Sequence, residues 1–121
     1  MRFAEDSLAV NTIRAYDAGE IIVNDTRITQ SVIITPNEIR RWPPYRFTDL
    51  LPEHLGALAE LQPEIVILGT GSRQRFLQPG MTAELQTSGI GVEIMATDAA
   101  CRTFNILLAE ERRVVAALIM G

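Results

Sequence analysis

Gly69-Thr70-Gly71-Ser72-Arg73 follows the apolar run Ile65-Val66-Ile67-Leu68, and these five residues are the chain's best case for chemistry. The two glycines let a ligand approach the backbone closely, Thr70 and Ser72 offer hydroxyls, and Arg73 adds a fixed positive charge. A carboxylate or phosphate suits such a loop. Thr97-Asp98, which ends a second strand-like run, would share its rim, since ligands of open parallel sheets bind beyond the carboxyl ends of the strands. The plainer reading is a sharp turn at the end of a buried strand. Gly69-x-Gly71 also begins a dinucleotide fingerprint. Position 74 is Gln, however, and Pro79-Gly80 separates the loop from the next helical pattern, so that reading fails.

Asn105 is an indifferent helix former inside a helical pattern. Its amide is expected either to bond a neighbouring loop or ligand, or to face solvent. Cys101 lies one turn earlier, near a helix start whose dipole would lower a thiol pKa, but no histidine stands near it in sequence. A small buried thiol is the better expectation. His54, the only histidine, neighbours Glu53 without a second ligand at metal spacing, and is read as a solvent-facing helix residue. The ligand-binding set is therefore Gly69, Thr70, Gly71, Ser72, Arg73, Thr97, Asp98 and Asn105. No catalytic residue, metal or cofactor is assigned.

The 121 residues are 47% hydrophobic and 21% charged, as in an ordinary globular chain of one domain. A net charge of −4 argues against nucleic acid, and no apolar run is long enough for a membrane span. All eleven cations are arginine, so Schiff-base chemistry and a phosphate-loop lysine are excluded. The opening Met1–Asp6 has two acids and no apolar core, which predicts no signal peptide. A single cysteine fits a reducing cytosol.

These residues need elements to hold them. Residues 1–8 read as an exposed lead-in. Short β-branched runs between Asn11 and Thr35, with a turn at Asn24-Asp25 and a stop at Pro36-Asn37, predict antiparallel hairpins. Arg40 to Phe47 reads as an irregular connector, because Pro43 and Pro44 forbid a helix interior. Three arginines interleaved with Trp42, Tyr45 and Phe47 admit a nucleic-acid stacking patch or an anion site, but the favoured expectation is that the aromatics plug the core, with the arginines on the rim. Thr48 or Asp49 would cap a helix to about Leu61 with a Leu51, Leu55, Leu58 stripe. Then follow a strand at Ile65–Leu68, a loop, a short helix Met81–Thr87, a strand Gly91–Ala96, a helix capped by Thr97 or Asp98 running to about Glu111, and a strand Val114–Met120. The expected fold is α/β: a C-terminal βαβαβ unit with three parallel strands, and the N-terminal hairpins packed against it as β/β/α layers.

Ile-Leu-Gly-Thr-Gly at 67–71, Gly89 to Glu93, Ala100-Cys101-Arg102-Thr103-Phe104-Asn105, Val115 to Ile119, Ser31 to Pro36 and Trp42 together carry a resemblance. The set resembles the domain-of-unknown-function family that includes mitochondrial complex I assembly factor three, and it covers nearly the whole chain. The resemblance implies a compact α/β domain with N-terminal hairpins, and a non-enzymatic interaction role with a protein partner, in the manner of assembly factors for the membrane-bound NADH dehydrogenase. It supplies no agreed catalytic residues. Lacking a mitochondrial leader, the chain is similar to the bacterial members and is expected to be cytoplasmic. Two functions remain open: an assembly or interaction module, and a binder of a small anion or metabolite (or an enzyme) using the Gly69–Arg73 loop. A purely structural homo-oligomer is a third.

Overall fold

The computed structural model describes residues 10–121, and the lead-in expected over 1–8 lies outside the described residues. Three strands, β1 (Ile13–Asp17), β2 (Glu20–Val23) and β3 (Thr26–Ile28), form an antiparallel meander in the order β1-β2-β3. Its second turn is the expected Asn24-Asp25 pair, with Asn24 at φ 54, a conformation asparagine tolerates.

The second sheet has five strands in the order β5-β4-β8-β6-β7. β6 (Ile65–Gly69), β7 (Gly91–Met95) and β8 (Val114–Leu118) are parallel, with β6 between the other two. α2 (Ala83–Thr87) lies on the β6-to-β7 connection, and α3 (Thr97–Ala109) then carries the chain back past β6 to β8. The core clusters place the two helices on opposite faces: Leu85 of α2 packs with Val66 and Leu68, whereas Phe104 of α3 packs with Ile67 and Ala116. β6 and β8 read as unbroken apolar runs because alternate side chains feed two cores. The meander shares its layer with α3, and α1 (Pro52–Gly56) and α2 cover the other face.

Several local expectations change. Ser31 to Thr35 does not continue the hairpins; β4 (Val32–Ile34) pairs antiparallel with β8 and is buried throughout. Pro36-Asn37 is a hairpin turn rather than a stop. The Thr35 hydroxyl oxygen accepts the Asn37 and Glu38 amides at 3.3 and 2.9 Å and curls the chain into β5 (Ile39–Arg41), so residues 40–41 are strand and not connector. β5 is exposed along its length, and two arginines on a sheet edge discourage further pairing. Of the connector's aromatics, Trp42 is buried but Tyr45 is 45% exposed.

The helix expected from residue 48 to Leu61 breaks into a 3-10 turn at Phe47–Asp49, α1, and a second 3-10 turn at Ala57–Leu61. Pro52 cannot donate to the preceding turn, so the helix restarts at it, and Leu51 falls outside at 48% exposure while Leu50 is buried. His54 is half-buried and not simply solvent-facing: its Nδ1 accepts the Leu51 amide at 2.9 Å, capping α1. α3 ends at Ala109, two residues short of Glu111, whose φ of 62 terminates the turn.

Two asparagines fasten the meander to the larger sheet. Asn11, buried, donates its side-chain amide to the Thr35 and Glu38 carbonyls at 2.9 and 3.0 Å. Asn105 on α3 accepts the Ile13 amide at 3.0 Å and donates to the Ile13 carbonyl at 2.7 Å, mimicking a strand partner for β1. Asn105→Leu strips both bonds. The urea midpoint is expected to fall by the equivalent of about 1–3 kcal/mol, because a polar pair left without a partner costs most of its desolvation. An unchanged midpoint would show that the meander is held by apolar contacts alone.

Candidate functional site

Gly69, Thr70, Gly71 and Thr97 meet where β6, β7 and β8 end. The Thr97 side chain is fully buried and does not cap its own helix; Ala96 occupies that position. Its hydroxyl accepts the Gly71 amide at 2.8 Å and donates to the Ile119 carbonyl at 2.8 Å, while its own amide donates to the Gly71 carbonyl at 2.9 Å. The Thr70 amide donates to the Met95 carbonyl at 2.9 Å. The crevice between the strand ends is thus filled by the protein's own bonds.

Gly69 is required here because a Cβ would lie 2.8 Å from the Thr97 hydroxyl and 2.9 Å from its Cα. Gly71 has φ +105, outside the range a side chain tolerates, and turns the chain away from the crevice. The Thr70 hydroxyl then donates to the Arg73 carbonyl at 2.7 Å and accepts the Arg75 amide at 3.1 Å. This curl directs Ser72, Arg73 and Arg75 to a cavity of about 290 Å³ that Thr70, Arg46, Phe47, Thr48 and Gly121 complete. Arg46, Phe47 and Thr48 come from a segment more than twenty residues upstream, and Arg75 lies beyond the glycine turn. The sequence-based ligand set leaves out all four; Arg46 and Phe47 belong to the arginine and aromatic run of residues 40–47, where an anion site is the less favoured reading, and nothing marks Thr48 or Arg75 as site residues.

Asp98 and Asn105 border a different cavity, of about 300 Å³, on the α3 face beside Tyr16, Cys101 and Arg102. Asp98 Oδ1 accepts the Ala99 amide at 2.8 Å, and its other oxygen lies 3.8 Å from the Arg102 guanidinium. The eight residues therefore divide into the Thr97 junction, the arginine cavity and this α3 cavity. Cys101 is buried; desolvation first, then the nearby Asp98 charge, push its thiol up to about 12, outweighing the lowering by Arg102. Burial overrides the helix-start effect.

The sequence profile described as "protein of unknown function (DUF498/DUF598)" matches residues 13–119. The chain belongs to this family. It is 32% identical over 120 residues to NADH dehydrogenase [ubiquinone] 1 alpha subcomplex assembly factor 3 of Xenopus tropicalis, covering 98% of this chain and 66% of that protein. The Bos taurus protein of the same name is 35% identical over 109 residues, covering 88% and 59%. The chain thus spans less than two-thirds of the length of these curated relatives. A crystal structure of a Bordetella parapertussis protein superposes with a TM-score of 0.88 at 43% identity, over 93% of this chain and 98% of that one. The 13 kDa major membrane protein of Francisella tularensis is 26% identical over 108 residues, 88% of each chain. Among the described residues, no helix is long and apolar enough to cross a membrane.

Thr97→Val preserves shape but leaves the Gly71 amide and Ile119 carbonyl without partners. Chemical denaturation should show a loss of about 2–4 kcal/mol, with Thr97→Ser losing much less. A valine variant as stable as wild type would show that the two Thr97 hydroxyl bonds do not hold the junction together.

The Cys101 thiol gives a second test, with the sign set by linkage. The unfolded thiol sheds its proton near 9.0, whereas the folded one keeps it to about 12, so the folded state binds more protons in between. Stability is full below pH 9 and falls as pH rises from 9 toward 12. Tyr16, raised chiefly by burial and then by Asp98, adds a loss of the same sign at the upper end. Cys101→Ala should flatten the pH 9–11 slope of the denaturation midpoint; an unaltered slope would count against the buried thiol.

Proposed function

We propose that the chain is a single-domain, non-catalytic interaction module of the bacterial cytoplasm that helps assemble a larger protein complex, a respiratory NADH dehydrogenase in the first instance. One observation carries the reading: 32% identity to an assembly factor for that enzyme extends over 98% of this chain. The site geometry supports it. At the strand ends, where open α/β enzymes commonly place their chemistry, Thr70, Gly71 and Thr97 spend their polar groups on holding the backbone.

The contact surface this reading favours is the segment after Gly71. Phe76 is 86% exposed, flanked by the half-buried Arg75 and Leu77. An aromatic ring offered to solvent beside arginine has the chemistry of an interface anchor. Blue-native gels of a deletion strain test the role: NADH dehydrogenase subcomplexes should accumulate at the expense of the mature enzyme. Re-expression of wild type should restore assembly, and Phe76→Asp should not, although its melting point should stay within about a degree because the ring packs on little. Normal assembly in the deletion strain would refute the proposal.

A further inference from the structure

Arg46, Arg73 and Arg75 border the 290 Å³ cavity beneath the Gly71 turn, and no acidic side chain lines it. Its other walls include the Phe47 ring and the hydroxyl-bearing Thr48 and Ser72. This gathering does not follow from a generally basic chain, since the net charge is −4. Elsewhere Arg14, Arg27, Arg40, Arg102 and Arg112 each pair with a carboxylate. Among the described residues, five arginines enter no ion pair, and three of them, Arg46, Arg73 and Arg75, meet at this cavity, the others being Arg41 and Arg113. The nearest acid in sequence, Asp49, is turned to the backbone, accepting the Arg46 amide at 3.0 Å.

The arrangement is also built. The Thr70 hydroxyl pins the backbone of Arg73 and Arg75, and the Arg75 guanidinium stands 5.4 Å from the centre of the Phe47 ring. Stacking on an aromatic face holds a guanidinium in place while leaving its N–H edge free to donate. Three guanidinium groups around one cavity repel each other unless an anion joins them. A phosphoryl dianion, with three peripheral oxygens, answers this better than a carboxylate with one charge and two oxygens.

We propose that this cavity binds the phosphoryl group of a phosphate ester, with Arg46, Arg73 and Arg75 neutralising it, Ser72 and Thr48 supplying hydroxyl donors, and the Phe47 wall meeting the organic portion. Phosphoryl binding here adjoins the Phe76 contact surface but does not require the assembly role. The same chemistry is available from a soluble ester or from a lipid headgroup, and Phe76, exposed one residue beyond Arg75, makes the second source worth a separate arm.

The test uses the full chain. In calorimetry and thermal shift, phenyl phosphate should bind and raise the melting point, and benzoate should bind at least about tenfold more weakly. Arg73→Ala and Arg75→Ala should each weaken phenyl phosphate by about tenfold without lowering the melting point of the free protein, as should Arg46→Ala. Arg40→Ala, already paired with Glu38, is the control that should change nothing. In the second arm, the protein is sedimented with phosphatidylcholine vesicles containing phosphatidic acid or an equal charge of phosphatidylserine. Capture on phosphatidic acid alone, lost in Arg73→Ala and Phe76→Ala, assigns the phosphate to a headgroup; binding of phenyl phosphate without capture assigns it to a soluble ester. Failure of both probes, equal binding of benzoate, or binding indifferent to all three arginines overturns the proposal.

Discussion

A single buried hydroxyl closes this structure. Thr97 is the point at which the loop after β6, the start of α3 and the end of β8 are joined, and its one fully buried oxygen serves both a donor and an acceptor. In such a position the strength of each bond matters less than the cost of leaving it unmade. The constraint spreads from there. Gly69 must lack a side chain so that Thr97 can approach it, and Gly71 must take a backbone conformation that steers the following residues off the crevice. The rim that a parallel sheet normally presents to a ligand becomes internal structure, and the polar, cationic surface emerges on its flank, against Arg46 to Thr48.

The central sheet supports this by being apolar on both faces. Odd and even positions of β8 and the two residues after it divide between two cores: Val114, Ala116, Leu118 and Met120 face the meander and α3, whereas Val115, Ala117 and Ile119 face α1 and α2. Alanines at 116 and 117 sit between layers on both sides, where a larger side chain would have to displace well-packed neighbours. The meander is held differently. Its apolar residues Ile13, Ile21 and Val23 join the core, but Asn11 and Asn105 set its position through backbone hydrogen bonds. Directional bonds fix register where apolar contact alone would permit sliding.

The chain belongs to a family that includes NADH dehydrogenase assembly factor 3, and its polar groups at the strand ends are spent on holding its own backbone. Among the described residues, the surface features beside this junction include the arginine cavity and the exposed Phe76, and the charged edge strand β5 is another. The arginines and Phe76 cluster on the residue 72–76 segment, so a partner and an anion would compete for, or share, one small region of surface.

Periodicity and residue type alone marked strands at Ile65–Leu68, Gly91–Ala96 and Val114–Met120, each within two residues of its observed end, and a long helix between the last two, because burial on one or both faces imposes patterns a few residues long. The same local logic marked the Asn24 turn and found Asn105 out of place in its helix. It failed wherever the deciding partner was distant. Whether Ser31 to Thr35 joins the meander or β8 depends on which backbone lies beside it, and nothing within the segment says so. Thr97 reads as a helix cap until Ile119 and Gly71 are brought to its hydroxyl. Arg46 and Arg75, 29 positions apart, become one cavity only when the Gly71 turn, the Thr70 curl and the Phe47 ring are assembled together. Secondary structure is written in neighbouring residues; a polar group's role is written in whatever the tertiary fold places within 3 Å of it.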